Sequence, residues 1–344
     1  MAALWNVMRG LCSGHLSLYG IKSLQYKPTG ILCQLLCKSS YQRRLFTNKN
    51  MMVELDSNTG VAVIQMKKPP VNSLNLEFLT EFAINMEKLE MDRECRGVVL
   101  TSSIPKIFSA GLDINEMYGK TPEHTGEFWR AVQEIWLKLY GSNLVTIAAI
   151  NVSRICSILL LPVHFTSFEQ SIQKIECLPQ IICPATSEPG ASPAGGCLLA
   201  MACDYRIMAD NPKYAIGLNE TKLGIVAPFW FKDTMINVIG RRATEHSLQL
   251  GLMYSTSEAL KIGLVDQLVA QDKIMTTALS VMSEWLAIPD HARQITKSMM
   301  RKPTLDQLLT NRESDIQNFV NFISKDSIQK SLQLYLEMLR QRKG

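Results

Sequence analysis

No run of apolar residues in this chain approaches the ~20 residues that a helix needs to cross a bilayer. The longest runs, such as residues 155–161, are far too short, so the sequence predicts no membrane span. The nine cysteines include no Cys-x-x-Cys pair and the histidines have no metal-ligand spacing, so we expect no metal site. With 47% hydrophobic and 19% charged residues over 344 positions, the composition is that of a globular protein.

Acidic residues are missing from the first fifty positions, which contain seven Lys and Arg. Because the whole chain has a net charge of only +5, the remainder is slightly acidic, which argues against a broad nucleic-acid surface. A basic, acid-free leader is typical of a mitochondrial transit peptide, and a disordered basic tail is the alternative. We expect a transit peptide at residues 1–47, a folded domain at residues 48–344 and a mature protein in the mitochondrial matrix.

Strands and helices are predicted to alternate after the leader. Residues 53–55 and 61–66 have strand character and flank a turn sequence, which predicts a β-hairpin. Asn75 is a typical helix cap before apolar residues at helical spacing. The alternation predicts an α/β core with a partly parallel sheet, followed by a mainly helical C-terminal region. The other predicted segments are strands at 97–100, 144–150, 204–208, 214–216 and 264–269, and a helix at 127–140.

Residues 152–189 interrupt this alternation. The segment contains four prolines and three cysteines and has neither helical nor strand periodicity. Loops of this length are uncommon inside compact domains. We therefore interpret it as an insertion into the domain rather than as a domain of its own.

Two glycine-containing segments are suited to binding an oxyanion. Residues 108–113 have the sequence FSAGLD, whose small side chains let the backbone approach a ligand and expose its N–H groups. Residues 193–196, PAGG, precede an apolar helix whose first N–H groups have no intrahelical partner. One amide from each segment could hold a thioester oxygen as it becomes an enolate. The first segment alone is equally typical of an ordinary turn.

A third segment, LNETKLG at residues 218–224, contains Glu220. A lone Glu in a polar loop is usually solvated. Here the neighbouring residues at 216, 218, 223, 225 and 226 are all apolar. Burial among them would raise the pKa of the carboxyl group and would suit it to act as a general base.

These three segments and the sequence VNSL at residues 71–74 resemble the crotonase (enoyl-CoA hydratase/isomerase) family in their order and near spacing, once residues 152–189 are set aside. The resemblance extends from residue 53 to the end, and within the family it is strongest to mitochondrial isomerases of the Δ3,Δ2 type. It implies an α/β fold, built as a spiral of β-β-α units with a mainly helical C-terminal region and assembled as a homotrimer. It also implies an acyl-CoA thioester substrate and no cofactor, since the coenzyme A is part of the substrate.

The resemblance further assigns roles to individual residues. The backbone N–H groups of Leu112 and Gly195 would form the oxyanion hole, and Glu220 would be the catalytic carboxylate. The substrate-binding residues would be Ala110, Gly111, Leu112, Asp113, Ile114, Gly195 and Asn219.

One residue that this chain lacks distinguishes the hydratases of the family from its isomerases. Family hydratases have a second carboxylate three residues after the position of Gly195, where this chain has Leu198. An apolar side chain cannot orient water, so we expect a 1,3-proton shift that converts cis or trans 3-enoyl-CoA to 2-trans-enoyl-CoA in fatty acid β-oxidation. The alternative is a catalytically weakened or inactive acyl-CoA-binding subunit, because the insertion precedes Gly195 and an oxyanion donor must be placed to within about 0.5 Å.

Overall fold

The structure is a computed structural model that describes residues 43–151 and 191–341. Residues 1–42 and the predicted insertion at 152–189 lie outside the described residues. The transit peptide, the domain boundaries and the insertion therefore stay predictions. Within the described ranges, no helix is long and apolar enough to cross a membrane.

Two sheets form the β-structure of the described chain. Seven strands make a mixed sheet: β1 (Arg43–Thr47), β2 (Met51–Asp56), β3 (Val61–Met66), β4 (Gly97–Ser102), β5 (Val145–Ile150), β7 (Tyr205–Ala209) and β10 (Gln267–Val269). Three short strands make the second sheet: β6 (Ala191–Pro193), β8 (Ala215–Gly217) and β9 (Tyr254–Ser255). In the large sheet, β1, β2 and β3 are antiparallel neighbours, and β3, β4, β5, β7 and β10 follow in parallel.

Helices surround the large sheet and dominate the chain after residue 228. They are α1 (Leu76–Met91), α2 (Pro122–Tyr140), α3 (Gly195–Ala202), α4 (Phe229–Ile239), α5 (Arg241–Leu250), α6 (Thr256–Lys261), α7 (Ile274–Leu286), α8 (Asp290–Ile323) and α9 (Asp326–Gln341). Every residue of β4 and β5 is buried, as expected for parallel strands covered on both faces, and α7 packs on both strands while α3 contacts β5. The predicted mixed α/β core and helical C-terminal region are confirmed.

Most predicted elements are present, and two boundaries differ for local reasons. Asn75 caps α1 by accepting a hydrogen bond from Phe78 N at 3.1 Å, as expected. The helix expected at 127–140 begins earlier, at Pro122. Thr121 caps it, and the fixed φ angle of a proline at the first helical position is already close to the helical value. The strand expected at 264–269 begins only at Gln267, because the preceding residues still close the C-terminal turn of α6.

A buried cluster of charges fixes α8 against the sheet. The Asp204 carboxylate, whose side chain is 4% exposed, accepts a hydrogen bond from Thr146 N at 2.9 Å. It pairs with Lys297 and with Arg301, each at 2.9 Å. Arg301 also donates to Ala202 O at the end of α3. Because a lone buried charge is costly, the three groups hold one another in place and bind α8 to β5 and α3.

The strand β1 lies within the predicted transit peptide. It pairs with β2 over its whole length, Arg43 forms an ion pair with Glu54 at 2.8 Å, and Arg44 forms ion pairs with Asp92 and Glu94 at 2.7 Å. We predict that a chain beginning at Asn48 unfolds about 2–5 °C below a chain beginning at Arg43, because it loses this edge strand. Calorimetry of the two chains measures the difference, and equal midpoints would show that β1 adds no stability.

Candidate active site

The loop that contains Leu112 is joined by backbone hydrogen bonds to the segment after β3. Leu74 N donates to Gly111 O at 2.9 Å, and Asp113 N donates to Leu74 O at 3.1 Å. Between these two bonds, the Leu112 N–H donates to no acceptor within the described residues. This amide is therefore available to a ligand.

The second amide, at Gly195, begins helix α3. Pro193 pairs with Gly217 in the small sheet, and Ala194 N donates to Gly217 O at 2.9 Å. Ala194 has φ of 48°, a conformation that costs a residue with a side chain about 1–3 kcal/mol. The strand pairing holds Ala194 in this conformation and so fixes the sharp entry into α3.

The two amide segments are in direct contact. A methyl group placed on Gly111, where φ is 84°, would lie 2.9 Å from Pro193 O and 3.0 Å from Gly195 N. A methyl group on Gly195 would lie 3.1 Å from Leu112 N. Glycine at both positions lets the backbones meet. The Leu112 and Gly195 amides thus lie close to each other, as an oxyanion hole requires.

Glu220 is the buried carboxylate of the site. It begins a 3₁₀ turn, Glu220–Leu223, and is 8% exposed. Neither carboxyl oxygen has a hydrogen-bond partner of good geometry in the part of the chain that the structure describes. Burial raises the pKa of Glu220 to about 7, and its own backbone N–H offsets this rise only in part. A carboxyl group with a pKa near neutrality can both accept and return a proton.

The turn that holds Glu220 is anchored at both ends. Ile225 N donates to Glu220 O at 3.1 Å and closes the turn. The Thr221 hydroxyl donates to Leu248 O at the end of α5. These bonds orient the backbone and leave the Glu220 side chain directed into a cavity.

The cavity beside Glu220 is small and mainly apolar. Its volume is about 60 Å³. Besides the predicted site residues, the lining includes Trp129, Leu223, Ile225, Phe231, Phe319 and Tyr335.

The structure brings most of the predicted site residues together. Asp113 differs from the others, because its carboxylate accepts hydrogen bonds from Asn115 N at 3.0 Å and from the Ser73 hydroxyl at 3.2 Å and does not line the cavity. Leu198 is buried in α3 and is also absent from the lining. Gly111 and Gly195 contribute the close backbone contact. The predicted residues that line the cavity are Ala110, Leu112, Ile114, Asn219 and Glu220.

Sequence reasoning missed three cavity residues that come from distant helices. Trp129 lies on α2, Phe319 on α8 and Tyr335 on α9, and the rings of Trp129 and Phe319 stack with centroids 3.6 Å apart. Each of these three residues lies at an apolar position of its helix. The spacing of apolar positions is the same whether a side chain packs in the core or lines a cavity, so the sequence does not distinguish the two. Phe231 also lines the cavity, whereas its neighbour Trp230 is fully buried in the core.

Comparison with known proteins identifies the family. The sequence model of the enoyl-CoA hydratase/isomerase family matches residues 56–155 and 165–343. The chain belongs to this family. Within the described residues, no group of three or more His, Cys, Asp or Glu side chains could hold a metal ion.

Three similar proteins illustrate the relationship. The mouse mitochondrial enoyl-CoA delta isomerase 1 is 55% identical over 301 residues, which cover 88% of this chain and 91% of that protein. The human mitochondrial enoyl-CoA delta isomerase 1 is 54% identical, over 88% of this chain and 87% of that protein. The crystal structure of human mitochondrial delta3-delta2-enoyl-CoA isomerase has a TM-score of 0.74 and 54% identity, and the match covers 86% of this chain and 100% of that chain.

These comparisons confirm two predictions from the sequence. The crotonase fold is confirmed by the family match and by the superposition on the human isomerase. The mitochondrial location is confirmed, since the similar enzymes of mouse, rat and human are all named as mitochondrial.

The buried carboxyl group has a measurable effect on stability. The pKa of Glu220 rises from its ordinary 4.5 to about 7 on folding, so the folded chain holds the proton more tightly than the unfolded chain. The resulting stabilisation is complete below pH 4.5 and is lost as the pH rises through 7. We predict that Glu220→Gln is more stable than the parent by about 3 kcal/mol at pH 8, and by much less at pH 5.

Denaturation with urea at both pH values measures this difference. Glu90→Gln, which changes an exposed carboxylate on α1, is the matched control and should leave stability nearly unchanged at both. If Glu220→Gln has the same stability as the parent at pH 8, the Glu220 carboxylate is not desolvated.

Proposed function

We propose that the chain is an enoyl-CoA isomerase that converts cis or trans 3-enoyl-CoA to 2-trans-enoyl-CoA in mitochondrial fatty acid β-oxidation, with Glu220 as its proton carrier. The isomerase class agrees with the names of the mouse, rat and human relatives. One observation carries the mechanism. The Glu220 carboxyl group is buried, has no hydrogen-bond partner among the described residues and lines the same cavity as Leu112.

The reaction begins with the thioester oxygen bound by the Leu112 and Gly195 N–H groups. Glu220 then removes a proton from C2, and the electron pair of that C–H bond delocalises through the adjacent double bond and onto the oxygen. The two amides stabilise this negative charge. The protonated Glu220 returns the proton to C4, so the double bond moves from C3–C4 to C2–C3 and Glu220 is again a carboxylate.

No step of this mechanism needs a cofactor, because the thioester and the two amides accept the electrons. The coenzyme A belongs to the substrate. Glu220 is the only Asp or Glu among the described residues that line the cavity. Hydration needs a second group to hold and activate water, so the single carboxylate favours isomerisation over hydration.

The apolar wall of the cavity suits an acyl chain. Leu223, Ile225 and Phe231 lie on the same cavity as the carboxylate and can cover the hydrocarbon next to the reacting carbons. Their exclusion of water also strengthens the hydrogen bonds to the thioester oxygen, since the local dielectric constant is low. The substrate class proposed is therefore an acyl-CoA thioester with an aliphatic chain.

The alternative is an inactive acyl-CoA-binding subunit in which the predicted insertion displaces Gly195. The contact between Gly111 and Gly195, with the small-sheet pairing that holds Pro193, favours an active enzyme. Pro193 and Gly195 follow the predicted insertion closely in the chain, and Gly111 contacts both.

We predict that Glu220→Gln lowers isomerisation of 3-enoyl-CoA by about 10²–10⁴-fold while CoA-ester binding barely changes, because the amide keeps size and polarity but cannot accept the proton. The parent and the variant are measured both as the full chain and as a chain lacking residues 152–189. Glu90→Gln again serves as the exposed control.

The two chain lengths separate the two functions. Activity of the full chain that depends on Glu220 supports an active isomerase. Activity that appears only after residues 152–189 are removed supports the inactive subunit. Near-parental activity of Glu220→Gln would refute Glu220 as the proton carrier.

We also propose that the protein assembles as a homotrimer in the mitochondrial matrix. Helix α8 and the turn before it expose large apolar side chains, including Met299 at 72%, Met300 at 73%, Ile295 at 59% and Ile288 at 53%. Clustered exposed apolar residues are typical of a protein interface.

Light scattering should give three times the chain mass for the parent protein. The double variant Met299→Glu/Met300→Glu should dissociate, because it places charges in the apolar contact. Met91→Glu changes a similarly exposed methionine, at 78%, on helix α1 and should leave the mass unchanged. A monomeric parent protein would contradict the proposal.

A further inference from the structure

A polar network that no step of the reaction uses lies beneath the oxyanion hole. Its centre is Asn72, which is fully buried at the exit of β3 and has φ of 49°. The Asn72 Nδ2 donates to the Ser102 hydroxyl at 2.7 Å and to Phe108 O at 2.9 Å. Asn72 Oδ1 accepts from Lys68 N at 2.8 Å. The side chain therefore joins the exits of β3 and β4 to the start of the loop that leads to Leu112.

Ser109 connects this network to the oxyanion hole. It is fully buried, its hydroxyl donates to Asn72 O at 2.8 Å, and the same oxygen accepts the Gly111 N–H at 3.1 Å. A single hydroxyl thus satisfies one buried carbonyl and one buried amide. Removing it would leave both without a partner, which is costly inside a protein.

The position of Ser109 decides which amide of the loop is free to bind a ligand. Two N–H groups occur in succession, at Gly111 and at Leu112. Ser109 binds the first, and the peptide after it is oriented by the bond from Leu74 N to Gly111 O at 2.9 Å. Because C=O and N–H point in opposite directions across a trans peptide, this orientation turns the Leu112 N–H away from Leu74.

We propose that Ser109 is a positioning residue for the oxyanion hole. It holds the Ala110–Gly111 peptide, and this peptide sets the position of the following Gly111–Leu112 peptide, whose Leu112 N–H meets the thioester oxygen. The inference rests on the proposed isomerase function, since it assigns the Leu112 amide to the oxyanion. Without the hydroxyl, the Ala110–Gly111 peptide can turn, and the Leu112 N–H loses its alignment.

The expected effect follows from the sensitivity of oxyanion donors to position. Complete loss of one donor typically costs about 10²–10³-fold in kcat, so misalignment by Ser109→Ala should cost about 10–10²-fold, with KM nearly unchanged. The matched control is Ser103→Ala. Ser103 lies in the same loop and its hydroxyl also donates to a backbone carbonyl, Met66 O at 3.1 Å. Among the described residues, its side chain makes no hydrogen bond to Asn72, Ser102 or Ser109. This variant should keep parental kcat.

A spectroscopic measurement separates positioning from general loss of structure. A 3-ketoacyl-CoA thioester, such as acetoacetyl-CoA, ionises to an enolate that absorbs in the near ultraviolet, and an oxyanion hole increases the enolate fraction of the bound ligand. The parent and Ser103→Ala should both increase it, and Ser109→Ala should show about a tenfold smaller enolate-to-keto ratio at the same pH and saturation. Ser109→Cys keeps a similar volume with a weaker hydrogen-bonding group, so it should give an intermediate ratio.

The outcomes distinguish this inference from the function on which it rests. If the parent neither isomerises 3-enoyl-CoA nor increases the enolate fraction, the proposed function fails. If the parent does both and Ser109→Ala retains its kcat and enolate ratio, the role of Ser109 is wrong. Should Ser109→Ala fail to fold, Ser109→Cys decides, and a parental enolate ratio for it would overturn the proposal.

Discussion

The burial of one carboxyl group without an ionic partner is the constraint on which this structure depends. A charged group in an apolar site is costly, and the protein reduces the cost by letting Glu220 hold a proton up to a pH of about 7. The Asp204 side chain, by contrast, is also buried but is paired with Lys297 and Arg301. Two buried carboxylates in one fold thus have opposite surroundings, one suited to proton transfer and one to anchoring a helix.

The proposed oxyanion hole depends on the arrangement of parallel strands. The carboxyl ends of parallel neighbours meet at one edge of a sheet, and the loops after β3 and β4 interact there through Asn72 and Ser102. Asn151, directly after β5, extends the same contact by bonding Ser102 N at 3.0 Å and Ser102 O at 2.5 Å. The first amide is therefore held by three successive strand ends, and the second by the pairing of β6 with β8.

Local chemistry explains how much could be predicted from the sequence. The caps, the hairpin and the glycine turns depend on a few adjacent residues, and the order of the motifs was enough to suggest the fold and to place Leu112, Gly195 and Glu220 in one site. The aromatic wall depends on packing between helices that are far apart in the chain, so the sequence could not distinguish Trp129 or Phe319 from ordinary core residues. The sequence also could not show that the Asp113 carboxylate accepts a hydrogen bond from Asn115 N in its own turn and does not line the cavity.

The origin of the cavity wall has a consequence for the order of folding. The oxyanion segments and Glu220 come from the first two-thirds of the chain, whereas Phe319 and Tyr335 come from α8 and α9 near its end. The chain is synthesised from the N-terminus onward, but a domain generally folds as a unit. The cavity can therefore be enclosed only after α8 and α9 have been synthesised and have packed against the rest of the domain. A chain shortened before Phe319 would contain Glu220 without its complete apolar surroundings.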